Sequence, residues 1–98
     1  MNVDRGFLLT LEAKPGKGEE LAAFLTGALP LAVAETGTVN WYAFKLGETT
    51  YGIFDTFADE EGRQAHFDGE IAAALFKAAP DLLAETPVVL RPEIIAAK

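Results

Sequence analysis

The sequence of 98 residues has no cysteine and only one histidine, one tryptophan and one methionine. The absence of cysteine excludes disulfide bonds, thiolate zinc sites and cysteine nucleophiles, and we therefore expect a reducing, cytoplasmic location. Positive charge is also scarce, because Lys and Arg number 8 against 15 Asp and Glu, a formal net charge of −7. Since phosphate backbones and anionic lipids are bound by cationic side chains, we expect neither nucleic acid nor a membrane as partner.

Long apolar segments are missing as well. The N-terminal residues lack the apolar stretch of a secretory signal, and the weakly polar stretch 21–34 is shorter than the roughly 20 residues that a membrane span needs. The motifs HExxH, GxGxxG, GxxxxGKS/T and GxSxG are absent, which removes the signatures of zinc proteases, dinucleotide-binding proteins, P-loop proteins and hydrolases. Half of the residues are hydrophobic, and the length predicts a single domain over residues 1–98.

Hydrophobic periodicity predicts the order strand, helix, strand, strand, helix, strand. Alternation with a period of two indicates the strands, and apolar residues at spacings of three and four indicate the helices. A proline inside either helix is expected to end or bend it. The first predicted elements are a strand at 7–14 and a helix that starts near Glu19. This helix either ends near Leu29 or bends there and continues as a last turn at 31–35, with Gly37 as its stop. The later elements are a hairpin of strands at 38–46 and 51–57, a helix capped by Asp59 and ended by Pro80, a further helical turn at 81–85, and a strand from Val88.

This order is typical of the ferredoxin-like α+β fold, a four-stranded antiparallel sheet with its helices on one face. Four strands span roughly 19 Å, which two helices about 10 Å wide cover on one face only. The hairpin nevertheless carries aromatic residues on both faces, since Trp41 alternates with Tyr42 and Phe44. An uncovered apolar face is rare in a monomer, so we expect a homodimer that packs sheet against sheet.

Two side chains are candidates for catalysis. His66 is the only histidine, and an imidazole with a pKa near 6.5 suits proton transfer at neutral pH. Asp55 lies in an apolar strand, where a carboxylate must be paired, hydrogen-bonded or shifted in pKa. The structural alternatives are a histidine that fills a gap between helix and sheet, and a carboxylate paired with an arginine. A lone histidine with scattered carboxylates lacks the ligand spacing of a metal site.

Candidate ligand-binding residues concentrate in the hairpin. Asn40, Trp41 and Tyr51 offer planar and hydrogen-bonding groups that suit a flat aromatic ligand, and Phe67 follows His66 on the buried side of its helix. Aromatic residues in a small sheet also serve ordinary core and dimer packing. Because side chains alternate along a strand, Asn40 and Trp41 must point to opposite faces.

Four stretches of the sequence resemble a known family. They are LEAKPGK at 11–17, TGTVNWY at 36–42, IFDTF at 53–57 and AHF at 65–67. With them the chain resembles, over nearly its whole length, the antibiotic biosynthesis monooxygenase family of dimeric α/β barrels.

The resemblance implies a pocket between the sheet and the helices of each subunit. It also implies an oxygenase that needs no cofactor and converts phenols or quinols to quinones with molecular oxygen. In such an oxygenase the deprotonated substrate itself donates the electron to oxygen. His66 matches the helix histidine of the family, and Asp55 stands where many members have a glutamate. Haem-degrading relatives pair that histidine with an asparagine in the first strand, which 6–14 lacks, so haem degradation is disfavoured.

Two hypotheses follow. The first is a monooxygenase for a small aromatic molecule, with His66 and Asp55 catalytic and the four ligand-binding candidates holding the ring. The second is a non-catalytic dimeric barrel that binds a small apolar ligand or a protein partner, which the scarcity of catalytic side chains supports. A cavity that reaches His66 favours the first hypothesis, and a closed or fully packed interior favours the second.

Overall fold

The structure, a computed structural model, describes residues 2–98. Its antiparallel sheet has the strand order β2-β3-β1-β4, and this confirms the predicted ferredoxin-like α+β fold. No helix within residues 2–98 is long and apolar enough to cross a membrane. The elements are β1 (Arg5–Glu12), α1 (Gly18–Ala34), β2 (Thr38–Lys45), β3 (Thr50–Phe57), α2 (Glu60–Phe67), α3 (Glu70–Leu82) and β4 (Val88–Leu90).

The second predicted helix is divided into α2 and α3. Asp59 caps α2 as predicted, since its carboxylate accepts a hydrogen bond of 2.8 Å from the backbone N–H of Gly62. Gly69 precedes α3 with an extended backbone, at φ −88° and ψ −173°. Glycine has a low helix propensity, so the break falls where the helical pattern is weakest.

Two prolines lie inside helices that were predicted to end or bend near them. Helix α1 continues through Pro30 to Ala34, which agrees with the predicted last turn at 31–35. Helix α3 continues through Pro80 to Leu82, so the predicted helix end at Pro80 was wrong. Each proline leaves one carbonyl of the preceding turn without its N–H partner. Both prolines are exposed, and water on the solvent side of a helix can bind such a carbonyl.

All helices pack on one face of the sheet and bury its apolar side chains. Phe7 and Leu11 of β1 and Ile53 and Phe57 of β3 are almost fully buried. Leucines of α1 and α3 pack against Leu11 and Ile53 in a shared core. The alternation predicted for β1 and the hairpin therefore has its physical cause in the cover on one side of the sheet.

The opposite face of the sheet carries an apolar row without cover from residues 2–98. The strand register places Leu90, Leu8, Phe54 and Tyr42 side by side across all four strands. Tyr42 is 57% exposed and Leu90 is 51% exposed. This row, called the uncovered row below, is the surface for which a partner was expected.

Two glycines allow the loop after α1 to touch the start of α2. A Cβ atom on Gly37 would lie 2.8 Å from the Cα atom of Gly62, closer than real Cβ contacts allow. The contact therefore requires a residue without a side chain at position 37. It brings the C-terminal end of α1 close to α2.

We predict that Gly37→Ala lowers the free energy of unfolding by about 1–3 kcal/mol, because the added methyl group forces the two backbones apart. Gly27→Ala in α1 is the control, since its Cβ atom meets nothing within 4 Å. Alanine should raise the stability there by about 0.5–1 kcal/mol through its better helix propensity. Urea unfolding measures both, and equal effects of the two substitutions would contradict the close contact.

Candidate active site

His66 lies between two carboxylates at the C-terminal end of α2. Its Nε2 atom is 3.0 Å from Oδ2 of Asp55, which lies in β3. Its Nδ1 atom is 2.6 Å from Oε1 of Glu35, the residue that follows α1. The hydroxyl of Thr38 donates a hydrogen bond of 2.7 Å to the same Glu35 oxygen. Asp55, His66 and Glu35 form one series of contacts, called the Asp55–His66–Glu35 chain below.

The inner end of this chain is completely removed from solvent. Asp55 is 0% exposed and His66 is 8% exposed, whereas Glu35 is half-buried. The contact between Asp55 and His66 is close but poorly directed, and neither Asp55 oxygen has a well-directed hydrogen bond from residues 2–98. Buried carboxylates are costly unless their oxygens are bound. Asp55 therefore keeps acceptor capacity for another donor.

The two carboxylates favour the protonated form of His66. Burial lowers the pKa of His66. The contacts with Asp55 and Glu35 and their negative charges raise it by more than burial lowers it, so the pKa lies above its ordinary value of 6.5. An imidazolium donates from both ring nitrogens and has no lone pair left to accept a proton. When His66 is protonated, the buried acceptor that remains in this chain is the Asp55 carboxylate.

An apolar cavity ends at Asp55 and His66. It holds about 390 Å³ of empty space including its mouth, of which about 30 Å³ is open to the centre of a water molecule. A bound ring therefore needs a wall side chain to move, and Phe76 is 43% exposed and has the least packing to lose. The other walls are Phe7, Leu9, Ile53, Phe67, Ile71, Ala72, Leu75 and Val89.

The structure brings together three of the six predicted site residues. Phe67 lines the cavity with His66 and Asp55. Trp41 pairs with Asp55 in the strand register but packs into the core, with its Nε1 buried and without a partner in the described part of the chain. Trp41 is therefore beside the site without lining its cavity.

The other two predicted residues lie elsewhere. Tyr51 is buried and borders a different pocket, together with Phe44 and Lys45. Asn40 lies on the uncovered face of the sheet, where it accepts a hydrogen bond of 2.8 Å from the hydroxyl of Thr56. Neither residue lines the cavity at His66.

Sequence reasoning missed Glu35. It offered Arg63 and His66 as nearby partners of Asp55, with a pairing to an arginine as the structural alternative. The partner is His66, while Arg5 and Arg63 pair with other carboxylates. One signal was present, because a glutamate at the C-terminal end of a helix faces the negative end of the helix dipole and needs another reason to be there. The two carboxylates bind opposite ring nitrogens, and no group of three possible ligands within residues 2–98 is arranged to hold a metal ion.

The chain is similar to several solved structures. It is 52% identical to NE2512, a protein of unknown function from Nitrosomonas europaea, over 99% of this chain and 94% of that one, with a TM-score of 0.97. A "putative antibiotic biosynthesis monooxygenase" from Caulobacter crescentus is 18% identical over 97% and 92% of the two chains, with a TM-score of 0.82.

A second protein with that description, from Nitrosomonas europaea, is 12% identical over 94% of this chain and 99% of that one, with a TM-score of 0.84. Identities this low show a shared fold. No protein-family model and no curated protein matches the chain.

We predict that the pKa of His66 lies above 6.5 and that Glu35→Gln lowers it, because one of the two favourable charges is removed. The imidazole signals in NMR titrations are unambiguous, since His66 is the only histidine. Glu19→Gln, at an exposed carboxylate of α1, is the control that should leave the pKa unchanged.

The same pKa has a consequence for stability. A pKa raised on folding gives stability that is complete below the unfolded pKa of about 6.5 and is lost as the pH rises through the folded pKa. His66→Gln should abolish this pH dependence in urea unfolding. A His66 pKa at or below 6.5, or one that Glu35→Gln leaves unchanged, would contradict the Asp55–His66–Glu35 chain.

Proposed function

The chain belongs to the same family as the Nitrosomonas europaea protein NE2512, and from its own site we propose that it is a monooxygenase that needs no cofactor. Its substrate would be a small phenol or quinol, and its oxidant molecular oxygen. The observation that carries this proposal is the fully buried Asp55 carboxylate, which faces an apolar cavity with acceptor capacity left. His66, whose pKa is raised, borders the same cavity, and perturbed ionisable groups in a cavity are frequent at catalytic sites.

Asp55 accepts the hydroxyl proton of the substrate in this proposal. His66, protonated between Asp55 and Glu35, holds the carboxylate in place and balances the negative charge that builds up in the site. These roles differ from those expected from the sequence, in which His66 deprotonates or hydrogen-bonds the hydroxyl and Asp55 orients a donor. The apolar walls exclude water, and an unsolvated phenolate gives up an electron more readily.

The proposed reaction balances without a further reductant. The phenolate transfers one electron to oxygen, and the two radicals combine to form a C–O bond and a peroxide, which takes the proton from Asp55. Loss of the ring C–H proton then cleaves the O–O bond and leaves a quinone and hydroxide, which combines with that proton. One phenol and one O₂ therefore give one quinone and one water.

Two further observations support this function. The fold is shared with proteins described as "putative" monooxygenases, and the cavity reaches His66 and Asp55. A closed or fully packed interior was the expectation under the non-catalytic hypothesis.

We predict that the protein consumes oxygen with at least one member of a panel of neutral phenols and quinols, and that Asp55→Asn lowers the rate by about 100-fold or more. Asparagine has the size of aspartate but cannot take the proton. Asp68→Asn, at an exposed residue next to α2, should keep the wild-type rate. An oxygen electrode measures uptake, circular dichroism verifies folding, and equal rates for wild type and Asp55→Asn would exclude this mechanism.

We also propose that a second copy of the chain covers the uncovered row. Tyr42→Glu places a charge in the row and should convert the dimer to a monomer of 10.5 kDa, because an unpaired charge in an apolar interface is strongly unfavourable. Ala23→Glu, at an exposed position of α1, should leave the dimer intact. Sedimentation velocity at micromolar concentration distinguishes the two masses, and a monomeric wild type would overturn the proposal.

A further inference from the structure

The chain has three arginines, and all of them line one open cleft. Arg5, Arg63 and Arg91 face this cleft together with Asp4, Pro92 and Glu93. The clustering is unexpected in a chain whose net charge is −7. Asp4 and Glu93 of the lining, together with Glu60 that pairs with Arg5 and Arg63, balance the three guanidinium charges. The cleft is called the arginine cleft below.

Two of the three arginines are already paired. Nε of Arg5 lies 2.7 Å from Oδ1 of Asp4, and its Nη1 atom lies 3.0 Å from Oε2 of Glu60. Nη2 of Arg63 lies 2.6 Å from the same Glu60 oxygen, while its Nε is buried without a hydrogen-bond partner among residues 2–98. The arginine cleft therefore holds two guanidinium groups in fixed positions.

Arg91 is the arginine that stays available. It forms no side-chain hydrogen bond or ion pair with the residues that the structure describes, and its guanidinium carbon lies 5.0 Å from the ring centre of Phe7 and 5.2 Å from that of Phe67. Stacking on two rings orients the planar guanidinium group and leaves its N–H donors unused. An exposed and oriented group of this kind is suited to bind an anion.

The arginine cleft adjoins the cavity at Asp55. Phe7 and Phe67 line that cavity and also carry Arg91. Phe7 pairs with Asp55 in the β1–β3 register. The β1–β4 register pairs Leu8 with Leu90, and the bridge between Arg5 and Glu93 extends it, so Arg91 lies opposite Phe7. Asp55, Phe7 and Arg91 thus form one row on the helix-covered face. Two strand spacings separate its ends, roughly 10 Å between backbones.

We propose that the arginine cleft binds the carboxylate of a small aryl carboxylic acid whose ring enters the cavity beside Asp55. The proposal that the carboxylate binds here depends on the arginine cleft alone. The position of the ring, and of a hydroxyl group on it that faces Asp55, rests on the proposed function. A planar guanidinium matches a carboxylate with two parallel hydrogen bonds. Arg91 is the one guanidinium group here without an ion pair to residues 2–98, and its single charge matches a monoanion better than a phosphate dianion.

Binding of benzoate to the full chain tests the proposal, with amide chemical shifts in NMR as the measurement. Benzoate should shift residues around Phe7 and Phe67, and benzyl alcohol, its neutral counterpart, should bind about 10-fold more weakly. Arg91→Gln should weaken benzoate binding by about 10-fold, the loss expected for charge-assisted hydrogen bonds. Arg91→Lys keeps the charge without the planar donors and should bind with an intermediate affinity.

Lys77→Gln is the matched control, because it removes one positive charge at an exposed position of α3 and should leave benzoate binding unchanged. The proposal is overturned if benzoate does not bind, if Arg91→Gln and Lys77→Gln have the same effect, or if inorganic phosphate binds more tightly than benzoate. Benzoate is not turned over, so this result is independent of oxygen uptake with neutral phenols. The experiments therefore distinguish a failure of the carboxylate-binding proposal from a failure of the proposed oxygenase function.

Discussion

The buried carboxylate of Asp55 is the constraint on which the arrangement of the site depends. A carboxylate without any exposure in the middle of a sheet needs an opposite charge close by. His66 supplies that charge only when α2 lies against the sheet, and Glu35 helps to keep the imidazole protonated only when the end of α1 reaches α2. One electrostatic requirement thus ties β3, α1 and α2 together, and the glycine contact between the α1–β2 loop and α2 makes their approach sterically feasible.

Most of the fold could be predicted from the sequence because its determinants are local. Alternation in β1 and the hairpin reflects cover on one face, and the cap at Asp59 needs only the backbone N–H of Gly62. Whether the helices end at Pro30 and Pro80 could not be predicted in this way. A proline removes one hydrogen bond, but whether that loss ends a helix depends on the solvent and tertiary contacts around it.

The site was predictable only in part, since its members meet through tertiary contacts. Glu35 and His66 are 31 positions apart, and no local pattern links them. Tyr51 shares a face with Asp55, yet four residues of extended strand put them roughly 13 Å apart, which is enough to place them in different pockets. Alternation correctly separated Asn40 from Trp41, but which of the two faces the helices cover was decided by packing.

Stability alone gives little reason for this arrangement. Replacing a buried charged network with apolar residues of similar volume is often neutral or stabilising, so the stability of the fold does not by itself require a carboxylate at position 55. The arginines fit the same argument. The net charge of −7 disfavours anions near the surface, but salt screens this charge beyond roughly 8 Å. Short-range contacts in the arginine cleft therefore determine whether an anion binds there. In the proposed binding mode, a wall side chain moves to make room, and the cation at Arg91, the apolar walls and the acceptor at Asp55 favour one orientation of the ring, with a hydroxyl group towards Asp55.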